Sequence, residues 1–160
     1  MDEREYFRAR RREELPVFVR VLRALPADKL DYRPHERSPS AAQIVWTLTS
    51  ELRGCCQLAA AGQIDWKPTP PPTLDEMIAG FERHHADLDA LVARLDGESW
   101  QRPGRFFVGS RVAMEQPVGE MLWLFLFDGI HHRGQLSAYI RPMGGRVPSI
   151  YGPSADEPGT

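Results

Sequence analysis

Asp128 and His132 stand four residues apart in the most apolar stretch of this chain. On a helix that spacing puts both side chains on one face, one turn apart, close enough to share a single divalent ion as helix-borne histidine pairs do. The same geometry has two other uses. Asp128 can accept a hydrogen bond from His131 or His132, or pair with Arg133, and so satisfy a buried polar cluster. Alternatively, the carboxylate and imidazole can move protons on a substrate without a metal. Gly134, in mid-helix, costs about 1 kcal/mol relative to Ala and points to a close helix crossing or an approaching ligand. Gln135 could orient the imidazole, although it reads first as an ordinary surface residue.

Other reactive side chains offer less. Cys55 and Cys56 are adjacent, and neighbours on a helix diverge by about 100°, so they make neither an ordinary disulfide nor a joint metal clamp. They read as small core residues in a reducing compartment. His84 and His85 lie among Glu82, Arg83 and Asp87; at least one is expected to face solvent, and neither is given a role. His35 reads as loop surface. A Gly-rich phosphate loop, a GxSxG elbow and a CxxC pair are all missing from the sequence, which removes support for nucleotide hydrolysis, esterase and thioredoxin-like chemistry.

Four helical stretches must position the Asp-His pair. The first spans about residues 3–24, with Phe7, Leu15, Phe18, Val19, Leu22 and Leu25 at helical spacings; Pro16 predicts a kink or a late start. The second opens at Ser38-Pro39-Ser40, a Ser cap with Pro in the first turn, and ends near Gly62. The third starts on the capping-box pattern Thr73-Leu74-Asp75-Glu76. The fourth follows Pro117 and stops near Arg141, before Pro142 and Gly144-Gly145. Between the last two, Arg105 to Val108 and Arg111 to Met114 flank Gly109-Ser110 and predict a short ribbon or extended loop.

With 160 residues, 42% hydrophobic and 26% charged, the chain suits one soluble domain covering residues 1–160. A net charge of −2 and a pI near 6.2 give no basic footprint, so nucleic acid is not an expected partner. Arg4, Arg8, Arg10, Arg11 and Arg12 alternate with Asp2, Glu3, Glu5, Glu13 and Glu14 and read as a solvated helix face. The longest apolar run, Met121 to Phe127, falls far short of the roughly 20 residues of a membrane span. No basic segment followed by an apolar run opens the chain, which makes the cytoplasm the expected compartment.

The run from Phe127 to Pro142, with its core Asp128-Gly129-Ile130-His131-His132-Arg133-Gly134-Gln135, continues through Val147-Pro148-Ser149-Ile150-Tyr151-Gly152-Pro153. It resembles the C-terminal signature of the DinB/YfiT-like family, and Ser38 to Trp46 with the helix that follows resembles that family's second helix. The resemblance implies an all-α four-helix bundle of up-down-down-up course, often a homodimer, with a Zn or Ni site at one end of the bundle. In the family one His from the second helix and an H-x3-H pair from the fourth hold the metal. Relatives include thiol-dependent transferases and a mycothiol-dependent isomerase.

Two of the three histidine positions differ here. The second-helix histidine falls on Thr47 and the first of the H-x3-H pair on Asp128, so that His132 alone remains. Asp is an acceptable ligand and favours harder ions, whereas Thr is a poor one. Glu51, one turn beyond Thr47, could supply the missing ligand or simply pair with a surface Arg. The expectation is therefore a divalent-metal site of His132, Asp128 and Glu51, in a hydrolase or thiol S-transferase acting on a small molecule. The alternative is a metal-free binding or dimerisation module associated with stress, for which Thr47 speaks.

Overall fold

A computed structural model describes residues 2–159. Helix α1 (Glu3–Arg23) starts on a reciprocal cap between Asp2 and Glu5 and continues unbroken through Pro16. After a 3-10 turn at Ala27–Lys29, α2 (Ala41–Ala61) is capped by Ser40 rather than Ser38. The reason is that Ser40 and Gln43 exchange side-chain and backbone hydrogen bonds, which satisfies two orphan donors of the first turn at once. Gly62 ends α2 in the left-handed conformation, φ 75°, where a side chain would be strained. The chain then forms β1 (Gln63–Trp66), α3 (Leu74–Val92) from the Thr73–Glu76 capping box, the single turn and a half of α4 (Gly97–Gln101), β2 (Pro103–Val108), β3 (Arg111–Pro117) and α5 (Val118–Ile140).

An all-α description does not hold, because the chain folds a three-stranded mixed sheet beside its helices. β2 and β3 form the antiparallel ribbon, turning at Gly109 with φ 62°. The unexpected strand is β1, which pairs in parallel with β2 from Gln63↔Arg105 to Trp66↔Val108. Four residues between Gly62 and a Pro-rich loop are too few to show a period of two. What fixes β1 is tertiary: Ile64 is 1% exposed and packs where a Cβ on Gly54 would stand 3.0 Å from it.

α1 and α2 each pack against both α3 and α5, and the core divides into two apolar clusters along the bundle. One holds Phe18, Leu22, Val45, Leu48, Phe81, Leu136 and Ile140. The other holds Phe7, Leu58, Leu88, Trp100, Met121 and Leu122, and it is this one that the sheet covers through Ile64. Between the clusters lies a level where each long helix presents a polar or small residue: Arg11 and Glu14 on α1, Glu51 on α2, His85 on α3, Gly129 and Arg133 on α5. Arg11 and Glu14 are 2% and 3% exposed, so the charged start of α1 is not a uniformly solvated face. Their spacing from Phe7 and Phe18 (7, 11, 14, 18) keeps them on the inward stripe.

Candidate metal centre

Halfway along the seam between α2 and α5, Glu51, Asp128 and His132 each bring one ligand atom within 4.8 Å of the others. The site is thus in the middle of the bundle, not at its end. His132 Nε2 lies 3.4 Å from Asp128 Oδ2, as the one-turn spacing on α5 requires. The other ring nitrogen, Nδ1, sits 2.7 Å from Gln135 Oε1. An amide oxygen only accepts, so Nδ1 is the nitrogen that donates to Gln135, and Nε2 is the one that faces the carboxylates. Gln135 is therefore an orienting residue and not a bystander.

Glu51 is half-buried. Its Oε2 is buried and has no hydrogen-bond partner among the described residues. Burial, and then the neighbouring Asp128 carboxylate, push its pKa up to about 9. Two carboxyl groups side by side in a partly buried seam cannot both ionise cheaply, so without a cation one proton stays between them. A carboxyl oxygen with no partner, a second carboxylate and an imidazole whose Nε2 faces them make a donor set suited to a divalent ion, which would take the place of that proton.

Thr47 does not join the set. Its hydroxyl donates to the Gln43 carbonyl at 2.9 Å, and it lines a surface groove with Trp46, Ser50, Trp66 and Pro70. His131 is exposed, its ring centroid 5.5 Å from that of His132. A Cβ on Gly134 would meet nothing within 4 Å, so neither a helix crossing nor a packed neighbour accounts for that glycine. Arg133 turns away from Asp128 altogether. It is 1% exposed, pairs with Glu14 at 2.5 Å, donates to Tyr151 Oη at 2.6 Å and stacks over Phe18 at 4.6 Å. This pair, invisible when the residues are read one element at a time, ties α1, α5 and the C-terminal segment together. His84 is half-buried and His85 buried; His85 Nε2 meets the Arg11 carbonyl at 3.0 Å, so neither histidine faces solvent openly.

Residues 12–136 match the family model of the DinB superfamily. The chain belongs to that superfamily. Over 90 residues, 55% of this chain, it is 30% identical to the uncharacterised protein YrdA of Bacillus subtilis, and the match spans about half of that protein's length, 51%. Solved structures share the DinB fold. A DinB-like protein from Bacillus cereus superposes with a TM-score of 0.76 at 17% identity, covering 92% of this chain and 97% of its own. The DinB-like protein YjoA of Bacillus subtilis gives 0.70 at 18%, covering 91% and 97%. A mycothiol-dependent maleylpyruvate isomerase gives 0.62 at 12%, covering 94% of this chain and 66% of that one. The DinB bundle is thus the scaffold that sets α2 against α5 here. Among the described residues, no helix is long and apolar enough to cross a membrane.

Proposed function

We propose that this DinB-superfamily protein holds one divalent cation, zinc or nickel, on Glu51, Asp128 and His132, and uses it as a hydrolase or thiol S-transferase on a small molecule. The convergence of those three side chains, two of them on one helix and the third on another, is the observation that carries the reading. A cation bound there supplies Lewis-acid polarisation of a substrate oxygen, or acidity to a water or thiol. The chain's own residues do the rest. Gln135 holds the His132 ring in the tautomer that offers Nε2, Asp128 contributes charge from the solvent side, and Glu51 gives up its proton as the cation enters. The name of the mycothiol-dependent neighbour favours a thiol co-substrate, and the reducing cytoplasm would keep Cys55 and Cys56 as thiols.

Elemental analysis tests the site. Protein grown in metal-replete medium should carry close to one zinc or nickel per chain, and the double variant Asp128→Ala/His132→Ala should carry almost none. Equal metal content in the two would overturn the assignment. Thr47, its hydroxyl already committed to Gln43, favours the second reading, a metal-free binding module. Protein purified without stoichiometric metal, whose melting temperature does not move on adding zinc or nickel, would favour that one.

We further propose a homodimer. Tyr6 and Phe127 are 52% and 60% exposed, and Trp123 links them, its ring 5.9 Å from Tyr6 and stacked 5.7 Å from Phe127. Such an aromatic stripe on the outer face of α5 is suited to a second copy of itself.

A further inference from the structure

At the level between the two apolar clusters the bundle holds a partly open cavity of about 30 Å³, room for about two waters or a group of that size. Most of its wall is aliphatic and aromatic, including Phe18, Leu48 and Leu122. Arg11 also lines it. The Arg11 guanidinium is held at one edge, where Nη2 donates to the His85 carbonyl at 3.2 Å and the group lies 5.7 Å from the Phe7 ring centre. Nη1 is buried with no hydrogen-bond partner among the described residues.

Nor is its charge matched. Of the two carboxyl groups on the cavity wall, Glu14 is committed to Arg133, Arg10 and Tyr151, and Glu51, its pKa pushed up to about 9 by burial and Asp128, keeps its proton at neutral pH while no cation is bound; Asp89 is shared by Arg8 and Arg12. Burial lowers the pKa of Arg11 to about 10, which still leaves it charged at neutral pH. The Cys55 thiol is pushed up and His85 down to about 4, both mainly by burial, so both stay neutral there. A buried cation with an unused donor and no counter-ion is unfavourable unless something completes it.

We propose that this cavity is a binding site for a small carboxylate, of the size of formate or acetate, whose oxygen takes the free Nη1–H of Arg11 and whose carbon end lies against the apolar wall. A charge-assisted bond to a guanidinium is the strongest pairing a carboxylate finds in a protein. Glu51 belongs to both the cavity wall and the metal cluster, so an acid held on Arg11 sits beside the proposed metal centre. Binding itself rests on Arg11 and needs no metal.

Thermal unfolding of the full chain, once after EDTA treatment and once with added zinc, tests this with sodium acetate, acetamide and sodium chloride at matched ionic strength. Acetate at a hundredfold excess over its Kd should raise Tm by roughly 5–10 °C in both samples, with acetamide and chloride giving no comparable rise. Arg11→Gln should abolish the shift. So should Cys55→Leu, which fills the cavity and leaves the guanidinium intact. An equal rise with acetamide or chloride, or a folded variant of either kind that keeps the acetate shift, overturns the site. If Arg11→Gln fails to fold, Cys55→Leu and the two control solutes decide. The EDTA arm reads the carboxylate alone, so failure of the metal assignment shows separately, in the elemental analysis.

Discussion

Arg133 carries a charge into the bundle because Glu14 meets it there, at 2.5 Å, with Tyr151 bridging the two. Removing one partner of such a pair leaves the other buried and uncompensated, a loss of about 3–5 kcal/mol. Arg133→Met should therefore lower the urea midpoint sharply, and Glu14→Leu combined with Arg133→Met should recover most of the loss, a non-additivity that a double-mutant cycle reads directly. His85 gives the molecule an acid limit. Burial first, and then the adjacent Arg11 charge, hold its pKa near 4 against an unfolded value of 6.5. The unfolded chain thus takes up a proton first, and stability falls as pH drops from 6.5 toward 4, at a rate approaching 1.4 kcal/mol per pH unit. His85→Gln keeps a donor for the Arg11 carbonyl but cannot titrate, so its denaturation midpoint should be flatter across that window. At this scale the Asp128–His132 pair was legible from its spacing, because i,i+4 geometry is local. That Gln135 fixes the ring, and that Arg11 and Glu14 lie inside, depended on neighbours; only the 7, 11, 14, 18 stripe hinted at the latter.

Helix starts are local chemistry, which is why Thr73 and Pro117 mark their elements correctly from sequence, while Ser38 lost to Ser40 once Gln43 supplied the reciprocal bond. Strand β1 and the meeting of Glu51 with α5 are products of packing, and no periodicity encodes them. Two glycines of α5 separate local from tertiary causes. A Cβ on Gly119 would stand 2.2 Å from the Trp100 indole, and Trp100 is 3% exposed, so the ring would have to leave its place in the core. Gly134 is exposed and open on every side. Gly119→Ala should destabilise by roughly 1–3 kcal/mol, whereas Gly134→Ala should stabilise by up to about 1 kcal/mol through helix propensity alone. Paired urea titrations of the two variants check both signs, and a destabilised Gly134→Ala would show that something approaches this turn of α5 in solution.

For the whole molecule, the two apolar clusters act as lids on a polar middle level, and that level is where α1, α2, α3 and α5 each place a group with chemical potential. The arrangement gives the Glu51–Asp128–His132 cluster, the Arg11 cavity and the Arg133 pair one shared layer, so a disturbance at one should be felt at the others. The outer surface is organised differently, with the Tyr6–Trp123–Phe127 stripe running over the half of α5 that backs the sheet-covered cluster. A stripe of that kind on a monomer would favour non-specific association, while a two-fold pairing would bury it against its own copy. Phe127→Glu puts a charge at the most exposed of the three rings and, in a symmetric contact, brings two like charges together. Light scattering coupled to size exclusion should give twice the chain mass for the wild type at micromolar concentration and a shift toward a single chain for Phe127→Glu, with an unchanged circular dichroism spectrum. A wild type that elutes at the mass of one chain across that range would leave the stripe without a second copy and exclude the dimer.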